Sequence, residues 1–108
     1  MSIREENILI PVRHRLNEVM PTGSKVVLFG SRARGDANRD SDWDMLMLID
    51  KVRISNEDFD EYAFPLIELG WQLGIVINPI LFTYKDWEKR QFTPLYQSVK
   101  EEGIDIWQ

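Results

Sequence analysis

Apolar residues at Leu9, Val12, Leu16 and Val19 recur at the period of one helix face, which predicts an amphipathic helix at the start of the chain. Pro11 falls inside this pattern. It has no backbone N–H and a fixed φ, so the helix either begins near it or kinks there. Pro21-Thr22-Gly23-Ser24 predicts a turn. Val26-Val27-Leu28-Phe29 is a short apolar run bounded by turn residues and predicts a buried strand. A second strand is expected over Asp42 to Asp50. Ser55 and Asn56 are helix-capping residues, and Glu57, Asp58, Asp60 and Glu61 suit a helix N-terminus by charge. Phe59, Tyr62, Leu66, Ile67, Leu69 and Leu73 continue the helical period; Pro65 should kink it and Gly74 should end it. Ile75 to Phe82 predicts a third strand, which Pro79 places at a sheet edge or a bulge. Thr83 caps a short helix through about Arg90. Thr93-Pro94 opens another that Gly103 closes, and Ile104 to Trp107 suits a short terminal strand. The order predicts an α/β (α+β) fold, with a small mixed sheet of three to four strands flanked by helices, as a single domain over residues 1–108.

Bulk properties narrow the class. The 108 residues suffice for one core, and a 44% hydrophobic fraction is that of a folded globular chain. The longest apolar run, Met45-Leu46-Met47-Leu48-Ile49, is far short of the ~18 residues of a membrane span. The N-terminal MSIREENILI lacks the basic and long apolar regions of a signal peptide. With no cysteine there are no disulfides and no thiolate metal sites, which suits a cytoplasmic location. The formal net charge of −5 opposes general nucleic-acid binding, so any anionic ligand must be met locally.

One loop concentrates the means to do so. FGSRARGDANRDSDWD, from Phe29 to Asp44, holds two glycines, three arginines and four aspartates between two apolar runs. Asp42 and Asp44 stand two apart at a strand start, so both carboxylates project to one face. Two like charges side by side call for a cation, and Mg²⁺ is commonly held by one or two carboxylates plus substrate phosphates. Gly30-Ser31 directly follows a strand, where small residues leave backbone N–H groups open to an anion and the Ser31 hydroxyl adds a donor. Arg32, Arg34 and Arg39 lie nearby, and guanidinium suits phosphate oxygens. The combination describes a site for a nucleoside triphosphate and its metal. It is not a Walker loop, since Asp36-Ala37 follows Gly35 where Lys-Ser/Thr is required, and G-x-G-x-x-G is absent.

Gly30-Ser31, ten residues, then Asp42-x-Asp44 resembles the G-S-x10-D-x-D signature of the nucleotidyltransferase superfamily, the polymerase-beta-like fold. The longer stretch GSRARGDANRDSDWDMLMLID is similar to its minimal nucleotidyltransferase (MNT) branch. The resemblance implies that Gly30 and Ser31 hold the triphosphate and that Arg34 and Arg32 neutralise its charge. It implies that Asp42 and Asp44 bind Mg²⁺, two ions with nucleotide present. The implied reaction is transfer of a nucleoside monophosphate, AMP from ATP, to an acceptor hydroxyl. It further implies a small helical protein partner of the HEPN type in a toxin–antitoxin module. One departure is visible. Active members carry a third carboxylate on the strand after the long helix, whereas Gly74 to Phe82 contains no Asp or Glu and Asn78 is its only polar candidate. An amide cannot act as a base.

The remaining polar and aromatic residues are read structurally. His14 lies off the apolar helix face and is expected in solvent. Asp36 and Asp40 are read as turn residues, Asp86 and Glu88 as helix surface. Trp43 should face the core; Trp71, Trp87 and Trp107 should serve as packing or interface anchors. Three functions compete: an enzyme, a degenerate module that binds nucleotide or partner without chemistry, and an aminoglycoside-type nucleotidyltransferase. The last needs a substrate domain that this length does not hold, unless a homodimer interface supplies it.

Overall fold

The computed structural model describes residues 2–108. Helix α1 spans Ile3–Val19 and starts at a capping box: Ser2 Oγ accepts from the Glu5 N–H while the Glu5 carboxylate accepts from the Ser2 N–H. The helix therefore begins well before Pro11, which sits inside it. Leu9, Val12 and Leu16 are fully buried, and His14 is exposed as expected.

Four strands form one sheet: β1 (Lys25–Phe29), β2 (Trp43–Ile49), β3 (Ile77–Thr83) and β4 (Ile104–Trp107), in the order β3-β2-β1-β4. β1 runs antiparallel to β2 and β4, and β2 parallel to β3, so the sheet is mixed. β3 is an edge strand, which is how it tolerates Pro79. Strand boundaries shift by one or two residues from the sequence expectation. β2 begins at Trp43, leaving Asp42 just outside the ladder, and β3 begins at Ile77. Ile75 is occupied elsewhere: its N–H donates to Gly70 O and that of Gly74 to Trp71 O, a left-handed helix end with Gly74 at φ 72°.

Between β2 and β3 the helical stretch has three parts. α3 (Asn56–Asp58) starts at a Ser55–Asp58 capping box, a π-helical turn covers Phe59–Ala63, and α4 runs Phe64–Leu73. The irregularity expected at Pro65 thus takes the form of a π-turn placed just before it, so that Pro65 lies in the first turn of α4, where a missing N–H costs little. Short α5 (Tyr84–Glu88) and α6 (Pro94–Glu102) follow β3, capped by Thr83 and Thr93.

The sheet is covered on both sides, which is why β2 reads as an unbroken apolar run. Trp43, Met45, Met47 and Ile49 pack with Leu9, Leu16 and Leu66 of α1 and α4. Leu46 and Leu48 turn the other way, onto Val27, Phe29, Trp87 and Val99 under α5 and α6. Asp44 shares their face of the strand by alternation. At the C-terminal end of α6, Gly103 has an ordinary φ of −62°, but a Cβ there would collide with Val27 and the Val99 carbonyl, so close packing is its reason.

Candidate functional site: a glycine–serine turn facing paired aspartates

The antiparallel register sets Phe29 opposite Asp44, so the turn that leaves β1 lies directly against the carboxylate that enters β2. Gly30 adopts φ 78°, ψ −160°, a region essentially reserved for glycine. A Cβ on it would lie 2.5 Å from Asp44 Oδ2. The backbone conformation demands glycine, and a Cβ there would also push the Asp44 carboxylate aside. The chain then makes a single helical turn, α2 (Ser31–Arg34), which Gly35 closes in the left-handed region at φ 86°. The Ser31 and Arg32 N–H groups at the start of this turn have no partner among the described residues. With the Ser31 hydroxyl they form a set of free donors beside Asp44.

Asp42 is exposed and Asp44 half-buried, with Trp43 between them 1% exposed in the core. Within the strand, alternation turns Asp44 away from the side that buries Trp43, while Asp42 precedes the ladder. Asp44 Oδ1 accepts from Asn78 Nδ2 at 3.2 Å, and the parallel register pairs the two residues directly. Asn78 therefore stands beside Asp44, where the resemblance places a third carboxylate.

The arginines divide the work differently from the sequence expectation. Arg32 is 8% exposed and turned inward. Its Nε and Nη2 donate to Ser41 O at 3.3 and 3.1 Å and its Nη2 to Arg39 O at 3.2 Å, while its guanidinium lies 4.7 Å from the Trp43 ring centre. This side chain is committed to holding the segment that delivers Asp42, and its buried head group is spent on carbonyls rather than offered to phosphate. Arg34 pairs with Asp36 and with Glu102, and both carboxylates raise its pKa, Asp36 foremost. Arg39 is exposed and without an ion pair among the described residues. Within the loop, Asn38 and Ser41 close on each other, and Asn38 Oδ1 accepts from the Asp40 N–H.

Glu102 is the residue that local sequence spacing did not reveal. It arrives from the end of α6, 72 positions along the chain, and its Oε1 accepts from the Gly30 N–H at 3.0 Å. No signal near Gly30 could have found it; only the docking of α6 on the sheet does so.

In chemical type the donors suit Mg²⁺, a hard cation that takes carboxylate oxygens together with substrate phosphates: Asp44 lies against the turn, and Asp42 is two residues before it. Among the described residues, no group of three or more histidine, aspartate or glutamate side chains converges. A cavity of 260 Å³ lies away from the carboxylates, between sheet and α6, lined by Lys25, Leu48, Trp87 and Val99.

Comparison with known proteins bears on family and fold. The model of the family described as "Nucleotidyltransferase domain" matches residues 12–106. A Methanocaldococcus jannaschii relative assigned as a protein adenylyltransferase is 34% identical over 79 residues, covering 73% of each chain. Among solved structures, a toxin–antitoxin complex with AMP-PNP is similar at TM-score 0.64 and 25% identity, over 94% of this chain and 72% of the other. A minimal nucleotidyltransferase follows at TM-score 0.53 and 25% identity, over 94% and 87%. A Shewanella oneidensis complex of a tri-AMPylated HEPN toxin with its MNT antitoxin shares the fold at TM-score 0.63 and 19% identity, over 95% and 71%. With a glycine–serine turn set against Asp44 on a mixed sheet, and a family match over nearly its whole length, this chain belongs to the nucleotidyltransferase domain family.

Proposed function

We propose that this protein is a Mg²⁺-dependent nucleotidyltransferase that transfers AMP from ATP to a hydroxyl on a partner protein, of the HEPN type found with MNT proteins. The observation that carries this reading is the convergence of the Gly30-Ser31 turn on Asp44. The Ser31 hydroxyl and the free N–H groups of Ser31 and Arg32 would hold phosphate oxygens. Asp42 and Asp44 would hold Mg²⁺, which when bound neutralises charge on the α-phosphate and on the departing pyrophosphate. The acceptor oxygen bonds to the α-phosphorus, the α–β bridge breaks, and pyrophosphate leaves. The acceptor hydroxyl would lose its proton to solvent water, because the residue beside Asp44 is Asn78, an amide that cannot take it. The similarity to an adenylyltransferase and to an AMP-PNP complex supports the nucleotide. The exposed Phe64–Trp71 pair, packed edge to face at 5.9 Å, supplies an aromatic anchor of the kind protein interfaces use.

The test is calorimetric titration of ATP with and without Mg²⁺, on the native chain and on Asp42→Ala/Asp44→Ala, followed by transfer of α-labelled ATP to a co-purified partner. Metal-dependent binding abolished in the double variant and label on the partner are expected. Equal binding in both chains would sink the assignment of the aspartates.

A second reading is favoured by one observation, the Asn78–Asp44 hydrogen bond at the position of the missing acid. In that reading the domain binds nucleotide, or a partner, without turnover. Metal-dependent ATP binding with no label on any partner, alongside an active relative as control, would select it.

A further inference from the structure

Glu102 belongs to no part of the motif, yet its carboxylate reaches the centre of the turn. It accepts from the Gly30 N–H at 3.0 Å and from Arg34 Nη1 through both oxygens at 3.2 Å. Its side chain is 16% exposed. The helix that carries it is locked in place, because Gly103, the next residue, leaves no room for a methyl against Val27 and the Val99 carbonyl. Glu102 therefore touches the same glycine that Asp44 touches, from a different element.

We infer that Glu102 is a positioning residue for the triphosphate: it fixes the Gly30 peptide and the Arg34 guanidinium so that the outward donors of the turn are preset for phosphate. This rests on the nucleotide reading above. The physical argument is one of allocation. Gly30 sits in a backbone region that needs support from its surroundings to persist. A charge-assisted acceptor on its N–H supplies that support, and it consumes the one donor of the turn that faces α6. The N–H groups of Ser31 and Arg32 and the Ser31 hydroxyl are left for the ligand. Arg34, otherwise free to swing, is held by Glu102 on one side and Asp36 on the other. The alternative, in which Glu102 occupies a phosphate's place and must be expelled, predicts the opposite effect of removing it.

The experiment compares the native chain with Glu102→Gln and Glu102→Ala. The amide proton exchange of Gly30 and the affinities for Mg-ATP and for AMP are measured, with thermal unfolding as a control. The glutamine keeps an acceptor for Gly30 but loses the charge that holds Arg34. Expected are faster Gly30 exchange in the alanine variant, Mg-ATP affinity lowered about tenfold, and AMP affinity nearly unchanged. Partial recovery is expected in the glutamine variant. A merely structural role would weaken both nucleotides in proportion to lost stability, and that result overturns the inference. Tighter Mg-ATP binding in Glu102→Ala also overturns it, in favour of an internal plug. If the native chain shows Gly30 protection lost in the alanine variant but binds no Mg-ATP, the nucleotide reading fails and Glu102 is a structural tie alone.

Discussion

Replacing Gly30 by alanine separates two costs that the structure stacks on one residue. The first is conformational: φ 78° with ψ −160° is strained for any residue with a Cβ, by about 1–3 kcal/mol. The second is steric. The new methyl would stand 2.5 Å from Asp44 Oδ2, so the carboxylate must retreat about 0.9 Å to reach an ordinary 3.4 Å contact. Such a shift reorients a carboxylate whose other oxygen, Oδ1, accepts from Asn78. Gly35 is the internal control, because it also has a positive φ, 86°, but nothing lies within 4 Å of its Cβ position. Gly35→Ala should therefore cost only the left-handed strain, about 1–2 kcal/mol, lowering Tm by roughly 5–10 °C for a chain of this size. Gly30→Ala should lower Tm further, by about 10–15 °C. Only Gly30→Ala should also abolish Mg-dependent ATP binding, since only it displaces Asp44. The assays are thermal unfolding by circular dichroism and calorimetric titration at a temperature where both variants are folded. If both variants bind Mg-ATP equally, or if Gly30→Ala is as stable as the native chain, the close approach of Gly30 and Asp44 is not what organises the site.

Other perturbations test the site from different sides. Asn78→Asp restores an acid directly beside Asp44; without metal the like charges should cost about 1 kcal/mol, and millimolar Mg²⁺ should recover the lost Tm. If position 78 limits turnover, the same variant should raise transfer of label from ATP to a partner; unchanged rates would show that the acid is not the missing element. The Asp58 carboxyl is 3% exposed, and its pKa is held below the ordinary 3.8, first by Lys51 Nζ at 2.6 Å and then by the Ser55 backbone N–H. Its contribution is therefore complete above pH 3.8 and is lost as pH falls through the lower folded value, so acid unfolding of Asp58→Asn should lack that component. Ser55→Ala removes the other half of the same cap and should cost about 1 kcal/mol in urea unfolding; no change would mean the cap is dispensable.

Local chemistry determined much of this protein from its sequence. Caps such as Thr83 and Thr93-Pro94, the stop at Gly74 and the apolar run Met45–Ile49 announce their elements, because each acts within a few residues of itself. The glycine–serine turn and the aspartate pair were legible for the same reason: one short hairpin carries both, so spacing along the chain is spacing in space. What a side chain meets across the fold is a different matter. Arg32 and Arg34 are the same residue type two positions apart, yet one is buried on carbonyls and Trp43 while the other pairs with Glu102 at the surface. The Ser2 cap that starts α1 well before Pro11 and the π-turn just before Pro65 are choices among backbone options that a proline alone leaves open. The placement of Asn78 against Asp44 depends on parallel register, and that of Glu102 against Gly30 on the packing of α6 across Val27. These contacts join residues tens of positions apart, and their energies exist only once the core has brought the elements together, so only the tertiary structure could decide them.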